Sequence, residues 1–141
     1  MSTIYEQLLQ LQKDYFYTGE TKDIDFRIAQ LKKLKKALKD HEGAINEALR
    51  KDLNKSDFEA FLTEIGVLYN EINEAIQHVS KWAKPKKVKT PLTHVGARSV
   101  IYPQPYGVSL IISPWNYPVN LTIAPLVGAI SAGCCSVIKP S

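Results

Sequence analysis

The sequence predicts an α/β fold in which N-terminal helices lead into the first strand–helix–strand unit of a doubly wound sheet, a sheet that these residues leave incomplete. Two observations support the prediction. Apolar residues recur at helical intervals through most of residues 1–84. After them, two short β-branched runs flank a segment of helical length. Parallel strands joined in this way cross over with a right hand in nearly all known sheets.

The first half of the chain has three amphipathic stretches before a longer helix. One begins at Ile4 and ends near Gly19, because glycine commonly ends a helix. The next begins near Asp25, loosens over residues 40–43, and is followed by another that begins at Ile45. The apolar positions that define them are Leu8, Leu9, Leu11, Phe26, Ile28, Leu31, Leu34, Ala37, Leu38, Ala48, Leu49 and Leu53.

A long helix is predicted to follow Ser56. Ser56 and Glu59 match a capping box, in which serine precedes the helix and glutamate is its third residue. Apolar residues then keep helical period from Phe61 to Trp82, and Pro85 ends the helix.

Extended structure is predicted after Pro85. Residues 93–102 are rich in Val, Thr and turn residues and indicate a β-hairpin or a pair of extended segments. Val108–Ile112 is a continuous apolar run, typical of a strand covered on both faces. A second β-branched run at residues 136–138 indicates the next strand of the same sheet.

The predicted crossover helix runs from Pro118 in its first turn to about Ala132, with Gly133 at its end. Pro125 lies inside it and predicts a kink, because proline removes one helical hydrogen bond. A single strand–helix–strand unit leaves sheet edges unpaired, so we expect these residues to be marginally stable in isolation.

Composition points to a globular protein without a nucleic-acid partner. The 141 residues are 45% hydrophobic and 23% charged, with a formal net charge of +4. Much of the positive excess lies in residues 32–36 and 81–89, which we interpret as a solvated helix face and linker, since no nucleic-acid module accompanies them. No apolar stretch is long enough to span a bilayer, the N-terminus lacks a leader pattern, and the adjacent cysteines are unsuited to pairing. We therefore expect a cytoplasmic protein.

Asn116 and Lys139 are the candidate functional residues, each at the end of a predicted strand. The Asn116 amide could donate to a carbonyl oxygen that becomes an oxyanion, or it could cap the following helix, and spacing alone favours the cap. Lys139 could bind the ribose hydroxyls or a phosphate of a nucleotide, or it could be an ordinary exposed lysine. The glycine-rich dinucleotide fingerprint is absent from the sequence.

The cysteines and histidines supply no further site. Cys134 and Cys135 could provide a nucleophile, but their place at the entry to a strand favours an inert buried pair. The three histidines, His41, His78 and His94, lack metal-ligand spacing, so no metal site is predicted.

Several peptides in order resemble the N-terminal signature of the NAD(P)-dependent aldehyde dehydrogenase superfamily. They are PYG at residues 105–107, IISPWNYP at 111–118, AISAG at 129–133 and IKPS at 138–141. The stretch WNYPVNLTI at 115–123, together with Phe26-Arg27 and the helix after Ser56, is more similar to the class 3 and fatty-aldehyde branch. The resemblance spans nearly the whole chain.

This resemblance implies a Rossmann-like dehydrogenase domain that begins in residues 85–141, behind a helical segment in residues 1–84. It implies that Asn116 donates to the oxyanion of a cysteine thiohemiacetal and that Tyr117 lines the aldehyde tunnel. It implies contacts with NAD or NADP from Ile112, Ser113, Pro114, Trp115 and Lys139. A small-molecule aldehyde substrate and a homodimeric complete enzyme follow from the same resemblance.

Two features depart from the family pattern. Cys134 stands where the family usually has asparagine, in the segment that supports the active-site loop. The family's nucleophilic cysteine and general-base glutamate would lie far beyond residue 141, and neither cysteine present matches the nucleophile's motif. We therefore expect these 141 residues alone to be inactive. The other hypotheses are a non-catalytic remnant or docking partner and, last, a lysine-rich binding module.

Overall fold

Helices account for the N-terminal part of the chain in the computed structural model, which describes residues 3–141. The predicted amphipathic stretches all form helices, and a short 3-10 turn, Glu20–Lys22, separates the first two. None of the helices in this range is long and apolar enough to cross a lipid bilayer. The helices before residue 85 are α1 (Ile4–Tyr17), α2 (Ile24–Asp40), α3 (Glu42–Leu53), α4 (Asp57–Ala60) and α5 (Gly66–Trp82).

Side-chain caps set where these helices begin. Ser56 Oγ accepts the Glu59 N–H at 3.2 Å, which confirms the serine half of the predicted capping box at α4. A complete capping box, which the sequence pattern did not predict, lies at α1: the hydroxyl of Thr3 accepts the Glu6 N–H at 3.3 Å, and the Glu6 carboxylate accepts the Thr3 N–H at 2.7 Å. Each cap satisfies backbone donors that the first helical turn leaves free.

A π-helical turn, Phe61–Ile65, interrupts the long helix that the sequence predicts as continuous. The N–H of Gly66 donates to the carbonyl of Phe61, five residues earlier. A Cβ on Gly66 would lie 2.9 Å from that carbonyl oxygen, so the turn requires glycine at this position. Glu64 and Ile65, both within the turn, are fully buried. Such turns are frequently found at functional sites.

The hydrophobic core joins the N-terminal helices to the crossover helix α6 (Asn120–Ala132). Helices α2 and α5 pack against each other and against α6, so helices from before and after residue 85 share one core. The core residues are Leu31, Leu38, Leu68, Ile72, Ala75 and Val127. The division into segments 1–84 and 85–141 stays a prediction.

The predicted hairpin is wrong in its first strand. An antiparallel ribbon does form, but it pairs β1 (Lys86–Val88) with β2 (Ser99–Ile101), and Leu92–His94 is a 3-10 turn. Two of the three β1 residues are exposed lysines, so the strand has no apolar alternation for a sequence pattern to detect.

The predicted strand–helix–strand unit is confirmed. Strand β3 (Val108–Ile112) lies parallel to β4 (Cys135–Lys139), in a register that pairs Ile112 with Lys139. The expectation that β3 is covered on both faces is not met within residues 3–141: there Ile111 is buried, whereas Leu110 and Ile112 are mostly exposed. Successive side chains of a strand point to opposite faces, so one face of the carboxyl half of β3 is open.

The C-terminal end of α6 is held by a buried arginine. Gly133 ends the helix at φ +83°, as its position in the sequence predicts. Arg27 donates to the carbonyls of Thr21 at 2.9 Å, Lys22 at 2.8 Å and Ser131 at 3.2 Å. This guanidinium thus ties α6 to the turn before α2, at the helix end that favours positive charge.

We predict that Gly133→Ala lowers the free energy of unfolding by about 2 kcal/mol or more, because L-residues are strained at positive φ. The new Cβ would also lie 2.7 Å from an Arg27 nitrogen and 2.8 Å from the Thr21 carbonyl oxygen. Urea denaturation measures the change.

Gly43→Ala is the matched control for this substitution. Gly43 lies in α3 with open space around it, so a methyl group there stabilises the helix by about 0.5–1 kcal/mol. Equal unfolding midpoints for the two variants would contradict the account of Gly133.

Candidate functional site

The loop between β3 and α6 lies at the carboxyl edge of the parallel strand pair, where open α/β sheets bind their ligands. Lys139 is the last residue of β4 and is paired with Ile112. The backbone N–H of Ser113 donates to the carbonyl of Lys139 at 3.0 Å, which extends the pairing into the loop. All seven predicted site residues therefore lie at one edge, namely Ile112, Ser113, Pro114, Trp115, Asn116, Tyr117 and Lys139.

The ends of this loop are held more firmly than its middle. Ser113 is buried, and its Oγ lies 2.6 Å from Thr122 Oγ1 in the first turn of α6. Thr122 also hydrogen-bonds the carbonyl of Pro118. Trp115, by contrast, is 73% exposed. Asn116 is exposed as well, and its side-chain amide makes no hydrogen bond within residues 3–141.

The interpretation of Asn116 as the cap of the following helix is wrong. The first amides of α6 donate instead to the carboxylate of Glu64, whose Oε2 accepts the Val119 N–H at 2.8 Å and the Asn120 N–H at 3.2 Å. Asn120 Nδ2 returns a bond to the carbonyl of Thr63 at 3.1 Å. The π turn thus supplies the cap for α6, and the Asn116 amide is left available for other partners.

The other oxygen of this carboxylate binds a buried lysine. Lys55 Nζ lies 2.5 Å from Glu64 Oε1, and the two side chains are 9% and 0% exposed. The same ammonium lies 4.3 Å from the ring centroid of Tyr117, at cation–π distance. Tyr117 has φ +45°, an uncommon conformation for a residue with a side chain.

Sequence analysis missed Lys55 and Glu64, although Glu64 carried a signal. It lies four residues after buried Ala60 and four before buried Leu68, so an acidic residue stands on the apolar face of a helix. A charged residue in that position is rarely buried unless it is paired. Lys55 precedes the capping serine, and its sequence context offers no comparable sign.

A broad surface groove lies away from this edge. It has a volume of about 1020 Å³ and is lined by Arg27, Glu71, Trp82, Pro103 and residues from the second half of α6. None of the seven predicted site residues lines it. The two cysteines line neither this groove nor the loop after β3. Cys135 is buried, Cys134 is half-buried, and they do not form a disulfide.

Comparison with known proteins gives a consistent result along the chain. The model of the aldehyde dehydrogenase family matches residues 6–141. A 4,4'-diaponeurosporen-aldehyde dehydrogenase of Staphylococcus aureus is 49% identical over 138 residues, covering 98% of this chain and 30% of that protein. Aldehyde dehydrogenase family 3 member B1 of Bos taurus is 44% identical over 137 residues, covering 97% and 29%. The chain thus spans about 30% of the length of these curated relatives.

A solved structure of Staphylococcus aureus AldH in a substrate-bound state has the same fold. It superimposes with a TM-score of 0.97 at 48% identity, over 99% of this chain and 31% of that one. This agreement confirms the predicted fold class, N-terminal helices that lead into the first strand–helix–strand unit of a doubly wound domain.

We predict that Cys135 reacts slowly with iodoacetamide at neutral pH. Burial, and to a smaller extent the neighbouring Cys134, raises the pKa of the Cys135 thiol, so less of the reactive thiolate is present than for a free cysteine. Mass spectrometry of the single-cysteine variants Cys134→Ser and Cys135→Ser separates the two rates.

Labelling of Cys135 should accelerate as the pH rises past the ordinary range of a thiol, because the thiolate then forms. Cys134, which is half-buried, serves as the internal comparison and should react faster at every pH. A Cys135 rate at neutral pH equal to that of an unfolded control would contradict its burial.

Proposed function

Because this chain belongs to the aldehyde dehydrogenase family, we propose that it is the N-terminal part of an enzyme that oxidises aldehydes to carboxylic acids with NAD or NADP. Residues 1–84 form a helical segment, and residues 85–141 begin the cofactor-binding domain. A cysteine from a later part of the polypeptide would attack the aldehyde to form a thiohemiacetal.

One arrangement carries the proposal: Asn116 and Lys139 follow two hydrogen-bonded parallel strands at a single sheet edge. The pairing of Ile112 with Lys139 and the bond from Ser113 to the Lys139 carbonyl keep these segments adjacent. Ligands of open α/β folds bind outside the carboxyl ends of their strands. One amide donor and one cation are therefore presented to the same ligand.

The chemistry of this edge fits the sugar portion of a nicotinamide cofactor. Lys139 is exposed, and its ammonium can donate to ribose hydroxyls. The main chain of residues 112–115 would line the nicotinamide-ribose side. The first amides of α6 are occupied by Glu64, so the cofactor's diphosphate would lie elsewhere than at this helix N-terminus. When bound, the cofactor accepts the hydride that leaves the substrate.

Asn116 would lie next to the reacting carbonyl. Its side-chain amide is exposed, has donors to offer, and has no hydrogen-bond partner in the described part of the chain. A donor held beforehand at the place where negative charge develops stabilises the transition state more than the ground state. Tyr117, 44% exposed beside it, would line the path of the aldehyde.

The same proposal covers partners and compartment. The substrate is a small-molecule aldehyde, the complete enzyme is a homodimer in the cytoplasm, and no nucleic acid takes part. The hypothesis of a non-catalytic remnant or docking partner has no observation in its favour, because the likeness to dehydrogenases extends over 98% of this chain.

We predict that Asn116→Ala, in the full polypeptide that carries residues 1–141, lowers kcat for aldehyde-dependent NAD(P)H formation by about 100- to 1,000-fold, since one oxyanion donor is lost. The KM for the cofactor should change little. Lys139→Met should instead raise that KM while kcat stays nearly constant. Absorbance of the reduced cofactor measures both effects.

Asn70→Ala, at an exposed asparagine of α5, is the matched control and should behave as wild type. Residues 1–141 alone should form no reduced cofactor, because covalent catalysis needs a nucleophile from elsewhere in the polypeptide. A wild-type rate for Asn116→Ala would remove Asn116 from the mechanism.

A further inference from the structure

We propose that Glu64 is the positioning residue for Asn116: it fixes the first turn of α6 directly and the side chain of Tyr117 through Lys55. The inference rests on the proposed function, because it concerns the residue to which that function assigns the oxyanion. In this proposal the buried ion pair Lys55–Glu64 acts on Asn116 without contacting the substrate or the cofactor.

The carboxylate of Glu64 uses both oxygens, and each fixes a different element. Oε2 accepts the N–H groups of Val119 and Asn120 at 2.8 and 3.2 Å, which caps α6 in the absence of any cap from its own sequence. Oε1 accepts from Lys55 Nζ at 2.5 Å. Because Glu64 is fully buried within a packed helix, its oxygens act as fixed points for the loop.

Lys55 extends the same control to the residue after Asn116. Its ammonium is held by Glu64 and faces the Tyr117 ring at 4.3 Å from the centroid. Tyr117 has φ +45°, a conformation that persists only when surrounding contacts impose it. The ammonium is such a contact, and loss of the ion pair would release both the lysine and the tyrosine.

The upstream end of the loop is fixed independently. Ser113 is joined to Lys139 through its N–H and to Thr122 through its hydroxyl. Asn116 thus lies three residues from one anchored position and next to another. Only the downstream anchor depends on Glu64, so a change at this residue should move Asn116 while the pairing of β3 with β4 persists.

The test is a double-mutant cycle in the full polypeptide that carries residues 1–141. Glu64→Gln keeps the size of the side chain, but the neutral amide binds the Lys55 ammonium more weakly, and its NH2 group would face other N–H donors. We therefore expect kcat to fall at least about tenfold, with little change in the cofactor KM. In an Asn116→Ala background the same substitution should cost less than about twofold. A purely structural residue would give additive losses, which would overturn the proposal.

Arg50→Met is the matched control, because it breaks an exposed ion pair with Asp57 and should leave kcat unchanged. If Glu64→Gln fails to fold, the double variant Lys55→Met/Glu64→Gln buries no unpaired charge and takes its place. That variant must show the same non-additivity with Asn116→Ala.

Hydrogen–deuterium exchange separates this proposal from the proposed function. Glu64→Gln should accelerate exchange of the Val119 and Asn120 amides and leave the amides of β3 and β4 unchanged. Unchanged exchange at Val119 and Asn120 overturns the positioning role whether or not the enzyme is active. An inactive wild type with normal cofactor supply would refute the proposed function alone, and the exchange data would then decide the role of Glu64.

Discussion

The burial of the Glu64 carboxylate is the constraint on which the rest of this structure depends. A buried charge is costly unless its partners compensate it, and here they are an ammonium and two backbone amides. Removal of one partner from a buried ion pair typically costs about 3–5 kcal/mol. The carboxylate therefore holds the π turn, Lys55 and the start of α6 in one fixed arrangement relative to each other. That arrangement fixes the downstream end of the loop between β3 and α6.

This arrangement is compatible with the proposed binding of a dinucleotide without a glycine-rich turn. In the usual fold the first helix N-terminus attracts the diphosphate. Here a carboxylate already occupies the Val119 and Asn120 amides, so these donors are not available to a phosphate. Among residues 3–141, this sheet edge presents the exposed cation of Lys139 and the unpaired amide of Asn116 on adjacent segments. Those groups suit hydroxyl and carbonyl oxygens better than phosphate.

The sequence predicted those features of the fold that depend on residues close to one another in the chain. Apolar periodicity predicted the helices, and the position of Gly133 predicted the end of α6, because glycine adopts the left-handed φ that a helix end requires. The strand–helix–strand pattern predicted that Ile112 and Lys139 lie on adjacent strands. The π turn escaped prediction because its apolar residues also fit a continuous helix. The cap of α6 escaped because its acceptor lies 55 residues from Val119 in the sequence. The family resemblance supplied the roles of the site residues, which spacing alone could not distinguish from capping and surface exposure.

The role of this sheet edge as the cofactor site is best tested by a crystal structure of the full polypeptide that carries residues 1–141, with NAD or NADP bound. We expect a ribose hydroxyl within hydrogen-bond distance of Lys139 Nζ and the nicotinamide half beside residues 112–115. We also expect the Asn116 amide to face that half, with Glu64 still bonded to Val119. A cofactor bound in the groove between Arg27 and Trp82, without contact to Lys139, would contradict it.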